Sequence, residues 1–472
     1  MSAHHKTGIY WYRRDLRIAD NLLLRAAADQ CDQVCPVYVT SVWHGAHNWT
    51  GPARQRFLCE SLASLASNIE SLGGRMVFRK GPAPKALERL IRETGATILY
   101  FQRDPDPFGK ETERAVETMC RSLGVAVHAV WDVTLHEPES VLTGDGKPYR
   151  VFTPYWRNWS AQPKPAPVAT PRAIRSPMTI HSDPPPTLAT WSLTDNGAQP
   201  LPGGEAAARK RLQSALRERL STYQQTRDLP AADGTSRLSQ DLRFGLLSAR
   251  TIHHKVATAM ESAPTAARES LSGFIRELAW REFYMAILHH FPEVLELEFA
   301  PQWRGLPWEE PDWKLDAWQT GRTGFPIVDA GMRELLATGH MHNRVRMIAA
   351  MFLTKDLRYD WRIGESWFMR HLADGEIASN NGGWQWSAGT GADAAPYFRI
   401  QNPWSQTARY DPDGAYIKRW VPELAKTSPA LLSKPPEPLL PLAPDYPLPI
   451  VDHHTERNRT LAMFKRHQQA GL

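Results

Sequence analysis

Asp374-Gly-Glu-Ile-Ala-Ser-Asn-Asn-Gly-Gly-Trp-Gln-Trp386 is the stretch on which the reading of this chain turns. Two acids, two adjacent asparagines, two glycines and two tryptophans make a poor core helix. Gly382 and Gly383 permit close backbone approach or a positive φ. A flat heteroaromatic ligand would use these parts well. Carboxylates accept its N–H groups, an amide faces its polar edge, and indoles stack on it or pass electrons. The wider composition agrees: the chain holds 18 Trp against 13 Tyr, most of the indoles lying beyond residue 270. Each buried indole N–H wants a partner, so a core rarely gathers so many.

On either side of this stretch the periodicity is helical. Apolar spacing predicts helices over 206–220, 249–260, 267–290, 328–338, 344–357 and 364–373. Upstream, from Ser160 to Gly204, ten of 45 residues are proline. That composition cannot sustain element interiors and reads as a connector. Before it, short apolar runs at 8–12, 34–39, 75–78, 97–101 and 125–130 read as strands. Helical patterns at 55–72, 84–94 and 110–123 alternate with them. The expected architecture is an α/β N-terminal domain with a parallel, Rossmann-like sheet, followed by an all-α C-terminal domain. The expected boundaries are 1–135, a connector over 136–204, and 205–472. No G-x-G-x-x-G follows the first strand, so an ordinary dinucleotide site is not expected there.

The chain carries net charge +6 with a sequence pI near 9.1, which suits a polyanionic partner. Between Glu205 and Met260 stand ten Lys/Arg and five Asp/Glu, so one segment holds much of the excess. No apolar run reaches the length of a membrane span, and the polar Met1–Lys6 is no signal peptide. Cys31, Cys35, Cys59 and Cys120 lack paired metal spacing and are expected as reduced structural thiols in a cytoplasmic protein, with no metal.

Several long motifs resemble those of the cryptochrome/photolyase family, most closely the microbial class I cyclobutane pyrimidine dimer photolyases. They are Tyr12-Arg-Arg-Asp-Leu-Arg-Ile-Ala-Asp-Asn21, Tyr223–Asp228 with Gly234-Thr-Ser-Arg-Leu-Ser239, and Glu277-Leu-Ala-Trp-Arg-Glu-Phe-Tyr284. Further along come Thr323-Gly-Phe-Pro-Ile-Val-Asp-Ala330, His342-Asn-Arg-Val-Arg-Met347, Asn380–Trp386 and Tyr446–His453. The resemblance spans nearly the whole chain. It implies an antenna domain, a helical domain holding a U-shaped FAD, and light-driven repair of dimers in UV-damaged duplex DNA by electron transfer from reduced FAD. It implies a monomer with no obligate protein partner.

Carried over residue by residue, the likeness assigns Thr235, Ser236, Arg237, Leu238 and Ser239 to the FAD phosphates. Small donors near a helix start suit anions, although such a string also serves as a plain N-cap. Tyr223, Arg281 and Glu376 match further FAD contacts. Asp374 and Arg346 match an ion pair beside the ring system, and Asn380 matches the amide facing its N5. Trp384, Trp361 and Trp308 match a chain of indoles leading an electron inward from the surface. Glu277, Trp280, Asn343, Met347 and Trp386 match the lesion pocket. Glu277 is expected to have a raised pKa there, or else to pair with Arg281 one turn on. Arg227, Arg344 and Arg399 are candidates for DNA phosphates.

Two features depart from the family pattern. Glu376 stands where many relatives have Asp. His47 and Asp106 approximate the folate clamp of some relatives, yet no Lys occurs between Pro292 and Gly305, where those relatives use one. The antenna is therefore a methenyltetrahydrofolate, an 8-hydroxy-deazaflavin or none, with the folate preferred. A signalling cryptochrome is the competing class. Such proteins often carry a long tail and change the residue at Asn380, whereas here 19 residues follow His453. A (6-4) photolyase would place a His at Asn343; the adjacent His342 would point about 100° away on a helix.

Overall fold

The structure, a computed structural model, describes residues 4–41 and 49–470. It divides into two compact units that interleave along the chain. One comprises Met1–Asp195, Leu201–Ser221 and Ser236–Pro292; the other comprises Asn196–Pro200, Thr222–Thr235 and Glu293–Leu472.

The first unit is built on five parallel strands, β1 (His5–Tyr12), β2 (Cys31–Thr40), β3 (Val77–Lys80), β4 (Ile98–Gln102) and β5 (Ala126–Val130), in the order β3-β2-β1-β4-β5. All five overlap the strands expected from the sequence, β3 starting two residues later than expected. Tyr10 pairs with Pro36 on one side and Tyr100 on the other, which sets the register of the centre. The strand order reverses between β1 and β4, the place where such sheets open a crevice at their carboxyl ends. Helices α2 (Pro52–Ser71), α3 (Ala83–Thr94) and α4 (Pro107–Ser122) fall where the periodicity put them. Helix α1 (Leu22–Gln30) was not expected. Its signal is Asn21, whose side chain accepts from Leu24 N at 3.0 Å as the N-cap.

The proline-rich segment forms only a short 3-10 turn, Leu188–Trp191. It runs beside the sheet: Val34 N donates to Arg175 O, Phe78 N to Ser182 Oγ and Lys80 N to Asp183 Oδ2. The bonds to Phe78 and Lys80 cover the edge at β3, and that to Val34 pairs the part of β2 beyond β3's reach, where backbone groups would otherwise stay unpaired.

The Tyr12–Asn21 motif is a structural knot. Arg14 pairs with Asp104 at 2.9 Å. Arg17 and Arg250 share Asp132, and Arg250 also binds Asp20 at 3.0 Å, all four side chains being buried. Leu16 N donates to Phe244 O, and Arg17 Nη1 to Gly245 O. Removing one member would strand a buried charge, at about 3–5 kcal/mol.

In the second unit, helices Pro326–Thr338, Asn343–Met351 and Trp361–His371 match the expected ones. The pattern read as 344–357 breaks at Met351 into a π-turn, Phe352–Asp356. Helix Ile377–Ala388 falls on the stretch judged a poor helix. No described helix is long and apolar enough to cross a membrane.

Gly245 has φ +64°, and a Cβ there would lie 1.9 Å from Arg14 O. Gly245→Ala is therefore expected to destabilise the first unit by more than the ~1–2 kcal/mol of a left-handed non-glycine residue alone. Chemical denaturation followed by circular dichroism should show a lower midpoint for the variant.

Candidate functional site

Helix Ile377–Ala388 is secured by its polar side chains. Glu376 is its N-cap, accepting from Ser379 N at 2.9 Å. Asn381 donates to Val294 O and to Glu365 Oε1. Gln385 donates to Val294 O and accepts from Phe299 N at 2.8 Å. Gly389 ends the helix in the left-handed region, and Lys355 Nζ donates to Ala388 O at 2.6 Å. Gly382 and Gly383 are thus helical, and the expected positive φ is corrected to residue 389. A Cβ on Gly383 would meet nothing within 4 Å, so its side of the helix is open.

This open face belongs to a cavity lined by Asn343, Arg346, Met347, Asp374, Asn380 and Gly383, among others. Arg346 Nη2 bonds both Asp374 oxygens at 2.9 and 3.2 Å, while its Nε donates to Met341 O. A buried carboxylate is thereby balanced, leaving a polar but nearly neutral rim. Asn380 Nδ2 donates to Glu365 O at 3.1 Å. With one N–H so engaged, the amide keeps its second N–H and its carbonyl oxygen, and the oxygen can accept from a ligand N–H. Glu365, which sequence reasoning missed, is fully buried, and burial pushes its carboxyl up to about 8.

The three indoles differ in surroundings. Trp384 is buried, its ring tip against Gly364, where a Cβ would come within 2.0 Å of Cη2. It meets Phe368 edge-on at 4.9 Å, and its Nε1 has no hydrogen-bond partner among the described residues. Trp361 is fully buried, with Nε1 donating to Glu298 Oε1 at 3.2 Å and the Arg362 guanidinium 4.4 Å over its ring. Trp308 is half-buried and packs on the same hydrophobic core as the other two. Next to it, Glu309 N donates to Arg358 O at 2.9 Å.

Arg344 binds Asp228 at 2.8 Å and lies 4.6 Å over Tyr410. Arg227 lies 5.3 Å over Tyr223. Arg399 is exposed, beside Phe398, which is 60% exposed and was also missed. Trp386 is partly buried on the Ile377–Ala388 helix. His342 corrects the sequence reading: it is the N-cap of Asn343–Met351 rather than a helical neighbour, its Nδ1 accepting from Arg344 N. Burial lowers its imidazole pKa to about 4.

In the first unit, Ser236–Leu238 lead into helix Ser239–Phe244, and Arg237 has φ +56°, a strained value for a non-glycine residue. Thr235 belongs to the second unit. Glu277, Trp280 and Arg281 lie on the long helix Thr265–His290. Trp280 stacks on Phe152 at 3.7 Å, and Arg281 donates to Val133 O and Leu242 O. Asp106 caps α4, and burial together with neighbouring Asp104 pushes its carboxyl up to about 8. His47 lies outside the described residues.

Glu365 is protonated more easily folded, at about 8, than at its ordinary 4.5. The folded state is therefore penalised progressively as pH rises from 4.5 through 8. Glu365→Gln keeps an acceptor for Asn381 and removes the ionisable group. Its denaturation midpoint should fall less than the parent's between pH 5 and pH 8.5.

Residues 8–172 match the family model described as DNA photolyase, and residues 274–466 match that described as FAD binding domain of DNA photolyase. A deoxyribodipyrimidine photo-lyase of Synechococcus sp. is 39% identical over 468 residues, covering 97% of this chain and 96% of its own. The crystal structure of a bacterial class III photolyase from Agrobacterium tumefaciens superposes with TM-score 0.91 at 38% identity, covering 99% of both chains. A Synechocystis cryptochrome superposes with TM-score 0.89 at 28% identity, covering 98% of this chain and 100% of that one. With this likeness over its whole length, the chain belongs to the DNA photolyase family.

Proposed function

We propose that this chain is a light-driven, FAD-dependent lyase that splits cyclobutane pyrimidine dimers in duplex DNA. The observation that carries the reading is Asn380, whose amide N–H is held by Glu365 O so that its carbonyl oxygen can accept from a flavin ring N–H. The cavity fits a flat ring: Gly383 leaves its helix backbone open, and Arg346 and Asp374 offer a charge-balanced polar rim. Reduced FAD, when bound, supplies the photo-excited electron that opens the cyclobutane ring.

The protein's own residues do the rest. Asn380 orients the ring and accepts its proton-bearing edge. Arg346 is fixed by Met341 O and Asp374, so its charge is preorganised and stays at one site. Trp384, Trp361 and Trp308 are the route by which an oxidised cofactor regains electrons. Met347 and Trp386 contribute apolar wall to the dimer, and Asn343 hydrogen-bonds it. Glu277, Trp280, Ser236–Ser239, Thr235, Tyr223 and Arg281 keep the lesion and FAD roles that the motif likeness assigns them. Arg227, Arg344 and Arg399 attract phosphates, so binding weakens with salt. Asp106, at the carboxyl end of β4 and protonated near neutral pH, is the group proposed to meet a folate antenna.

The lesion type follows from proton supply. A (6-4) product needs a hydroxyl moved between bases, and therefore an acid. Asn343 carries no titratable proton. His342 is held neutral at pH 7, with Nδ1 already accepting a backbone N–H. The cyclobutane ring needs no net proton transfer. This chemistry is independent of whether the chain sides with class I or class III. The likeness to a cryptochrome supports a second reading, a blue-light receptor, which the same experiment separates.

Two oligonucleotide duplexes, each with one defined lesion, are illuminated with reduced enzyme and analysed by chromatography. Restoration of the cyclobutane strand alone is expected. Restoration of the (6-4) strand would refute the lesion assignment, and restoration of neither would favour the receptor. Separately, Trp308→Phe is expected to slow photoreduction of oxidised FAD by an order of magnitude or more, read from the loss of flavin absorbance under light. Repair by chemically reduced enzyme should change little. Equal loss of both would make Trp308 structural.

A further inference from the structure

We propose that Glu298 is the proton acceptor of Trp361, so that this indole surrenders its electron and its N–H proton together. The inference rests on the indole route of the proposed function.

The environment of Trp361 is unlike that of the other two. Trp384 Nε1 and Trp308 Nε1 have no hydrogen-bond partner among the described residues. Trp361 Nε1 donates to a carboxylate, Glu298 Oε1, at 3.2 Å, inside the reach of a general base. That carboxylate is nearly sealed from solvent, its side chain 3% exposed. On the ring face stands the Arg362 guanidinium, at 4.4 Å. A radical cation beneath a fixed guanidinium meets like-charge repulsion in a poorly screened interior. Losing the Nε1 proton leaves the oxidised ring neutral; the oxygen that takes it also accepts from Arg362 Nη1 at 3.1 Å, so the transfer exchanges ring–guanidinium repulsion for the loss of that ion pair. Arg362 remains held when Glu298 is neutralised, because Asp360 binds it at 3.0 and 3.1 Å and Glu296 O accepts from its Nε and Nη2.

The steps balance. Trp384 gives one electron to the photo-excited flavin and becomes a radical cation. Trp361 gives one electron to Trp384; its Nε1–H bond breaks and an O–H bond forms on Glu298. Trp384 is then restored, Trp361 is a neutral radical and Glu298 a neutral acid. Trp308 gives one electron to Trp361, and Glu298 returns the proton to Nε1. The positive charge ends on Trp308, the half-buried indole. Glu298 thus holds the proton while Trp361 is a neutral radical, and hands it back once Trp308 has given its electron.

The test uses flavin-loaded Trp308→Phe, in which oxidation stops at Trp361, and the double variant Trp308→Phe/Glu298→Gln. Glutamine keeps an oxygen for the indole N–H but takes no proton. Transient absorption after a laser flash distinguishes neutral from cationic indole radicals. Trp308→Phe should give the neutral radical, forming more slowly in D2O than in H2O. The double variant should give the cation, with no deuterium effect. A cation in Trp308→Phe, or a neutral radical in the double variant, overturns the proposal. If the glutamine variant loses its flavin, Trp308→Phe/Glu298→Asp replaces it, and an undiminished deuterium effect there overturns the proposal. If no indole radical of either kind forms in flavin-loaded protein, the electron route itself fails and takes this inference with it.

Discussion

A helix that buries amides holds its place only while each amide is paired. Helix Ile377–Ala388 buries Asn381, Gln385 and Ser387 alongside Ala378, Trp384 and Ala388, so its inward face mixes amides with apolar core contacts. Their partners are backbone atoms of Val294, Leu297 and Phe299 and the side chain of Glu365. Losing one such bond leaves a buried polar group unsatisfied, at about 1–3 kcal/mol. The same set of bonds fixes rotation and register, because an amide hydrogen bond is directional where an apolar contact is not. Asn380 faces the cavity and Trp384 meets Gly364 because residues 381 and 385 are locked on the side toward 294–299. Function on one face of this helix thus depends on hydrogen bonds made by the other.

That dependence explains what could and could not be read from the chain alone. The strands at 8–12 and 97–101 were legible because buried parallel strands are continuous apolar runs, a local signal. Helix Leu22–Gln30 was not, since Leu22-Leu23-Leu24 reads equally as a strand end; only Asn21 marks its start. The stretch 374–386 was illegible as a helix for one reason. Its polar residues are satisfied by segments distant in sequence, and composition cannot register a partner 16 residues or 87 residues away. Glu365 and Glu298 stayed hidden for the same cause. Each is an ordinary glutamate in sequence and becomes special only through burial against Asn381 or Trp361.

The Tyr12–Asn21 motif teaches the reverse. It is long, charged and distinctive, and it invites a functional reading. In the structure its arginines and aspartates satisfy one another: Arg17 and Arg250 flank Asp132, and Asp20 closes the set. Four charges buried together demand near-complete pairing, so few substitutions are tolerated there whatever the protein does. A distinctive motif is therefore evidence of constraint, and only geometry tells whether the constraint is chemical or architectural.

Lys355 shows how the two kinds of constraint meet. It sits in the π-turn Phe352–Asp356, the one break in an otherwise regular helical run, with its ammonium over the Phe464 ring at 4.0 Å. Burial lowers its pKa to about 7. Its bond to Ala388 O meets the carbonyl end of the helix that bears Asn380 and Trp384, where the helix dipole favours a cation. As pH rises through 7 the cation is lost, but a neutral amine still has N–H groups to donate. The helix end therefore keeps its hydrogen bond while losing its compensating charge. The polar C-terminus of this helix and the buried lysine thus meet at one hydrogen bond, which outlasts the lysine's charge.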